Sequence, residues 1–233
     1  MSRRTILATG AVILAGLSLL LAKDKNGWWD EPFTSWNQGQ TSRMFNDSPW
    51  VEVQTYSSES VQGAMGQNET KFQFTVRLFS AQPIREAYVR MLQLMNHYDT
   101  LPPERKQDFD AKVSNIATAD PGEEVVVAVA LACTDREGSR NLKRFFETAT
   151  AATLSQSAFL YTSSAGQITL EKYLPPSGGI GSRFIYPRTF KGQPILQATD
   201  KELRFQVSIP QTGQDLMVGF KPAKMVYKGK FTY

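Results

Sequence analysis

One cysteine and one histidine are all that this 233-residue chain carries of the residues that most often bind metals or act as nucleophile and base. A single cysteine excludes an intramolecular disulfide, so stability has to come from packing. One histidine with one cysteine is too small a set for an ordinary zinc or copper site. No Gly-x-Ser-x-Gly elbow occurs, and His97 can be paired on paper with any of many serines, which makes such pairings uninformative. Internal low-complexity linkers are absent, which favours one folded body. A strong charge of one sign is also missing. The formal charge is +4, from 26 basic and 22 acidic residues, and Arg3 and Arg4 are the only charged residues among the first 22. Without that segment the balance is 24 basic against 22 acidic residues, so no nucleic-acid partner is expected. A hydrophobic fraction of 41% still allows a sizeable core.

The longest apolar run lies at the start. Ser2-Arg3-Arg4-Thr5 is followed by Ile6 to Ala22, apolar or small throughout, and Lys23-Asp24-Lys25 ends it. This is the layout of an export signal, and at 17 residues it also sits at the lower limit for a membrane span. Residues 1–22 are therefore read as a signal peptide or an N-terminal anchor, with membrane contact through residues 6–22 if they are retained. The expected location is the periplasm or the extracytoplasmic face of the membrane, in a bacterial cell envelope.

All four tryptophans then fall within 23 residues, at Trp28, Trp29, Trp36 and Trp50, in an arm spanning residues 23–50. Thr34 or Ser35 is expected to cap a short helix running through Met44 and Phe45, and Pro49 stops it. The rings either pack the arm onto the body or sit at a membrane interface. A sugar-stacking platform would also use clustered tryptophan, but the segment offers few paired carboxylates to complete one. Trp28-Trp29, Trp36 and Asn46-Asp47-Ser48-Pro49-Trp50, after a signal-like start, resemble an uncharacterised family of exported acidobacterial proteins. Some of that group occur beside the domain named for a Gly-Trp-x-Thr-Asp motif, which is itself absent here. The similarity extends to Pro83-Ile84-Arg85-Glu86-Ala87 and to Met225–Tyr233. It implies export and no known activity.

Residues 51–233 read as a single α+β domain. Trp50–Tyr56 alternates as a strand, and Phe72, Phe74, Val76 and Leu78 share one face of its hairpin partner, with a polar loop from Ser57 to Thr70 between them. Pro83 opens a helix with Ile84, Ala87, Tyr88, Met91, Leu92 and Met95 on one face, and Glu86 and Arg90 are expected as a surface pair. A second helix presents Phe109, Val113, Ile116 and Ala117. Val125–Cys133 is apolar without alternation, which suits a strand buried on both faces. A helix carrying Leu142, Phe145, Phe146 and Ala149 follows, then a strand at Phe159–Thr162, so a central βαβ unit in a mixed sheet is expected. Beyond it, Ile168–Tyr173, Arg183–Tyr186, Leu203–Ile209 and Leu216–Phe220 predict an antiparallel C-terminal part, with Met225–Tyr233 pairing as the last strand.

Four features are candidates for chemistry. His97 lies at a helix end. Cys133 ends the central strand, where a following helix N-terminus lowers a thiol pKa if the two meet. Gly178-Gly179-Ile180-Gly181 offers an anion-binding nest but leads into a strand, unlike a dinucleotide fingerprint. Lys221, Lys224, Lys228 and Lys230 make the tail basic. Asp108 and Asp110 lack the loop spacing of a calcium site. No catalytic, cofactor-binding or metal residue is assigned, and no cofactor is expected. The leading expectation is a non-enzymatic binding or assembly module with a protein or envelope-polymer partner. The alternatives are a hydrolase-like enzyme using His97 or Cys133, and a weak polyanion binder.

Overall fold

A computed structural model describes residues 27–59, 69–118, 120–134, 136–212 and 214–233. The fold is α+β. The apolar run at 6–22 and most of the loop between the first two strands lie outside the described residues. Among those described, no helix is long and apolar enough to cross a membrane.

The chain enters through two short 3-10 turns, Gly27–Asp30 and Phe33–Ser35, and then forms α1 (Gln38–Asn46). The cap of α1 is Asn37 rather than Thr34 or Ser35. Its side chain accepts from the Gln40 N–H at 2.9 Å while the Gln40 side chain accepts from the Asn37 N–H at 2.9 Å. This reciprocal capping box satisfies two backbone donors that a helix start otherwise leaves open. Hairpin strands β1 (Val51–Glu59) and β2 (Glu69–Leu78) follow, then α2 (Gln82–Met95) and α3 (Pro103–Thr118). Next come β3 (Glu124–Cys133), α4 (Arg136–Thr148), α5 (Ala151–Leu154), β4 (Ala158–Thr162) and β5 (Gly166–Thr169). Strands β6 (Lys172–Ser177) and β7 (Gly181–Pro187) form a hairpin, and β8 (Thr189–Phe190) with β9 (Gln193–Pro194) a minor one. The chain closes with β10 (Leu203–Ile209), β11 (Gln214–Phe220), β12 (Val226–Tyr227) and β13 (Lys230–Phe231).

Two sheets carry the fold, ordered β1-β2-β3-β7-β6 and β11-β10-β4-β5. Every described ladder is antiparallel. The expected βαβ unit is therefore not formed: β3 and β4 belong to different sheets, and α4 with α5 carries the chain from one to the other. The non-alternating composition of β3 has another cause. Val125, Val127 and Val129 face the second sheet, while on the opposite face Ala128 is fully buried, Val126 and Ala130 are half-buried and Ala132 is exposed. On that face Arg77, directly across from Ala128, donates from Nε to the Phe45 carbonyl at 2.7 Å and from Nη2 to Asn46 Oδ1 at 2.8 Å. A central antiparallel strand between a sheet and a helical layer thus shows the pattern that a parallel strand shows between two helical layers.

Ile168–Tyr173 was expected to be one strand, but it divides at Leu170–Glu171, with β5 in one sheet and β6 in the other. At the opposite edge, β11 meets β1 through side chains. The Met217 N–H donates to Gln54 Oε1 at 2.9 Å, and the Tyr56 hydroxyl donates to the Asp215 carbonyl at 2.5 Å. Between the sheets lie Phe74, Phe184 and Phe205, with Phe184 and Phe205 edge to face at 5.2 Å. Helix α4 buries Leu142 and Phe146, and the Phe146 carbonyl accepts from the Tyr173 hydroxyl at 2.5 Å. Each such side chain contributes about 1.5–3 kcal/mol of apolar burial.

Glu86 and Arg90 are not a surface pair. Both are buried, because α1, the arm and the C-terminal tail cover that flank of α2. Arg90 donates to the Trp36 carbonyl at 2.8 Å and forks onto Asp99 at 3.1–3.2 Å. Glu86 accepts from Gln82 Nε2 at 2.7 Å and from the Tyr227 hydroxyl. Met95 is exposed rather than core. The tail does not join a sheet as the last strand; β12 and β13 pair with each other, with Lys228 and Gly229 in the turn at φ 49° and 76°.

Candidate binding groove

The N-terminal arm is built into the body rather than appended to it. Trp36 and Trp50 are fully buried, and the Trp50 indole donates to the Thr232 carbonyl at 2.7 Å, fixing the last residues of the chain against the start of β1. Trp28 and Trp29 remain half-buried. Trp28 meets Trp36 edge to face at 5.2 Å, and the Trp28 and Trp29 rings lie 5.9 Å apart at 45° to each other. A buried ring thus holds a partly open aromatic pair at the surface.

That pair lines a groove of about 930 Å³ between the arm, the α1–β1 connection and the tail. Its walls bring together Asp30, Asp47 and Glu52 with Arg43, Lys221, Lys224 and Lys228. Three carboxylates and four cations around an aromatic pair make a surface of mixed charge. Burial raises the Glu52 pKa above the usual carboxylate range, and the nearby Lys221 and Lys224 charges offset part of that rise. The Lys228 ammonium lies 3.7 Å from Glu86 Oε2, so one wall cation is partly neutralised from beneath. Burial, followed by the hydrogen bond to Glu86, pushes the Tyr227 phenol well above its ordinary range.

The groove assembles residues that sequence spacing kept apart. Lys221, Lys224 and Lys228 were visible as a basic tail, and Trp28 and Trp29 as an aromatic cluster. That they share a wall with Glu52 and Asp47 depends on β1 lying beside the tail, for which no local pattern exists. Lys230 is exposed on β13 and is not among the groove-lining residues.

The other candidates stand apart. His97 is exposed, with a left-handed backbone (φ 53°) after α2, and lines neither this groove nor the hollow beside Cys133. Cys133 is partly exposed beside Arg140, Lys143 and Arg144. Asp110 accepts from the Tyr98 hydroxyl at 2.7 Å, and that bond pushes the Tyr98 pKa up to about 12. No group of three potential metal ligands occurs among the described residues. The Gly178–Gly181 segment is a hairpin turn joining β6 to β7, and the Gly178 carbonyl accepts from the Tyr88 hydroxyl at 2.7 Å. At Gly181, φ is 95° and an added Cβ would fall 2.2 Å from the Val129 carbonyl oxygen. The glycine there is a packing requirement. No family model, curated protein or solved structure matches this chain.

Proposed function

We propose that this protein is a non-catalytic binding module of the bacterial cell envelope, exported or held at the membrane by its N-terminus, and that its groove takes a charged carbohydrate polymer of the envelope. The observation that carries the reading is the joining of the Trp28–Trp29 pair with Asp30, Asp47 and Glu52 in one open groove. Indole faces stack on the apolar faces of sugar rings, while carboxylates accept hydrogen bonds from hydroxyl and amide groups. Lys221, Lys224 and Arg43 supply counter-charges for acidic substituents along the polymer. An aromatic pair set among polar walls suits binding without chemistry, as a long ligand is held by many modest contacts.

The test is co-sedimentation of the full-length protein with insoluble cell-wall polymer, alongside Trp29→Ala and Lys224→Glu variants. The reading expects binding by the parent protein and a loss of about tenfold in each variant, corresponding to about 1.4 kcal/mol. Equal sedimentation of all three, or none by the parent, removes it.

A further inference from the structure

The central sheet has a step in it. Backbone groups of the odd-numbered residues of β3 point toward β7, as the 2.7 Å bond from the Arg188 N–H to the Glu123 carbonyl fixes the phase. Those of the even residues point toward β2, as the 2.7 Å bond from the Phe79 N–H to the Val126 carbonyl shows. The ladder with β2 runs the whole way to Phe72 opposite Cys133, and the Thr134 N–H continues it to the Lys71 carbonyl at 3.0 Å. The ladder with β7 stops at Val129 opposite Ser182. Ile180, next in line to face Leu131, is turned into the hairpin and gives its N–H to the Ser177 carbonyl at 3.1 Å. Leu131 and Cys133 thus direct their N–H and C=O groups past the end of β7, and no strand among the described residues takes them.

Three of the four outer edges of the two sheets, β1, β11 and β6, are guarded. Gln54 and Tyr56 tie β1 to β11, and Pro175 and Pro176 interrupt the donors of β6. The free end of β3 instead opens into two adjoining hollows, of about 320 and 580 Å³, that share Lys143. Among the described lining residues, helix α4 walls them with Arg140, Lys143 and Arg144, all exposed, against one carboxylate, Glu147. Hydrogen-bonding backbone on one side and cations on the other define what fits: an extended segment with acidic side chains on the face toward α4.

We infer that the open end of β3, at Leu131 and Cys133, is a site of β-strand addition for an extended acidic peptide of a partner protein. The peptide continues the line of β7 beyond the Gly178–Gly181 turn and runs antiparallel to β3. Its main chain exchanges hydrogen bonds with Leu131 and Cys133, and its carboxylates meet Arg140, Lys143 and Arg144. This site is separate from the groove and does not depend on what the groove binds.

The probe is a fluorescein-labelled, end-blocked peptide of alternating valine and glutamate, titrated into the full-length protein and read by fluorescence anisotropy. Two further peptides carry backbone N-methyl groups at every second residue, one in each phase, which removes N–H donors without altering charge or the protein. Saturable binding of the parent peptide is expected, lost by about tenfold or more in one methylated phase and retained in the other. Arg140→Glu combined with Arg144→Glu is expected to weaken binding by at least about tenfold while the circular dichroism spectrum is unchanged. Equal binding of both methylated peptides overturns the proposal in favour of a purely ionic contact. Absence of binding overturns it outright, as does self-association of the protein that the peptide does not compete away, which would make a second copy the occupant.

Discussion

Tyr227→Phe removes one oxygen from the junction between α2, the C-terminal hairpin and the groove, and its cost can be worked out in advance. Glu86 is 5% exposed and Tyr227 is 2% exposed, so neither can exchange its partner for bulk water. The carboxylate keeps Gln82 Nε2 at 2.7 Å and the more distant Lys228 at 3.7 Å, but loses its phenolic donor. A hydrogen bond to a charged group contributes about 1.5–3 kcal/mol, and the ring keeps its edge-on contact with Trp50 at 6.3 Å. The expected destabilisation is therefore about 2 kcal/mol. For a chain of this size it lowers Tm by roughly 4–8 °C in a thermal melt followed by circular dichroism. Alkaline pH gives an independent reading. Burial and the Glu86 bond raise the phenol above its ordinary value of 10.0, so the folded state retains a proton that the unfolded chain releases. This contribution is fully present below about pH 10 and is lost as pH rises further, by about 1.4 kcal/mol per pH unit for each such tyrosine. Tyr227→Phe should flatten that fall by one tyrosine's share. A variant that melts within 1 °C of the parent and keeps the same alkaline slope would refute the placement of Glu86 and Tyr227 as a buried pair.

Other perturbations separate the remaining parts of the account. The Tyr186 hydroxyl is fully buried without a hydrogen-bond partner among the described residues, so Tyr186→Phe should raise stability by about 1 kcal/mol in urea unfolding. A loss of stability instead would mean that the hydroxyl has a partner. Gly181→Ala forces a side chain onto the Val129 carbonyl at positive φ and should cost about 3 kcal/mol or more; near-neutral unfolding would contradict that close approach. Glu86→Gln releases Lys228 from its neutralising carboxylate. It should tighten binding of an acidic polymer in the groove at low salt, with the gain vanishing at high salt; an unchanged affinity at low salt would mean that Lys228 makes no contact with ligand.

The α+β class could be read from the sequence because it rests on local signals. Alternation marked β1, β2, β10 and β11, and 3.6-residue periodicity marked α2, α3 and α4. What could not be read was partner choice. The composition of β3 is apolar on both faces although the face toward the helices is fully buried only at Ala128, and it does not say what covers either face, so a helical layer on one side and a sheet on the other looked like βαβ. The Ile168–Tyr173 run keeps its strand character through the point where it changes sheets, and nothing in its composition marks that crossing. Glu86 and Arg90 have the spacing of a surface pair on an isolated helix, and only the arm and tail packed over α2 turn them inward. The groove was half legible. Its tryptophans and lysines stood out as clusters, whereas Asp47 and Glu52 have no distinguishing context until β1 is laid against the tail.

The four tryptophans supply the most direct test of the groove as the binding face, since each gives one indole N–H signal in a proton–nitrogen correlation spectrum. Trp28 and Trp29 line the groove, while Trp36 and Trp50 are fully buried. Titration with a soluble amino-sugar oligomer bearing an acidic peptide stem should move the Trp28 and Trp29 signals and leave Trp36 and Trp50 in place. Binding that leaves Trp28 and Trp29 unmoved, or no saturable shift at all, would contradict the account.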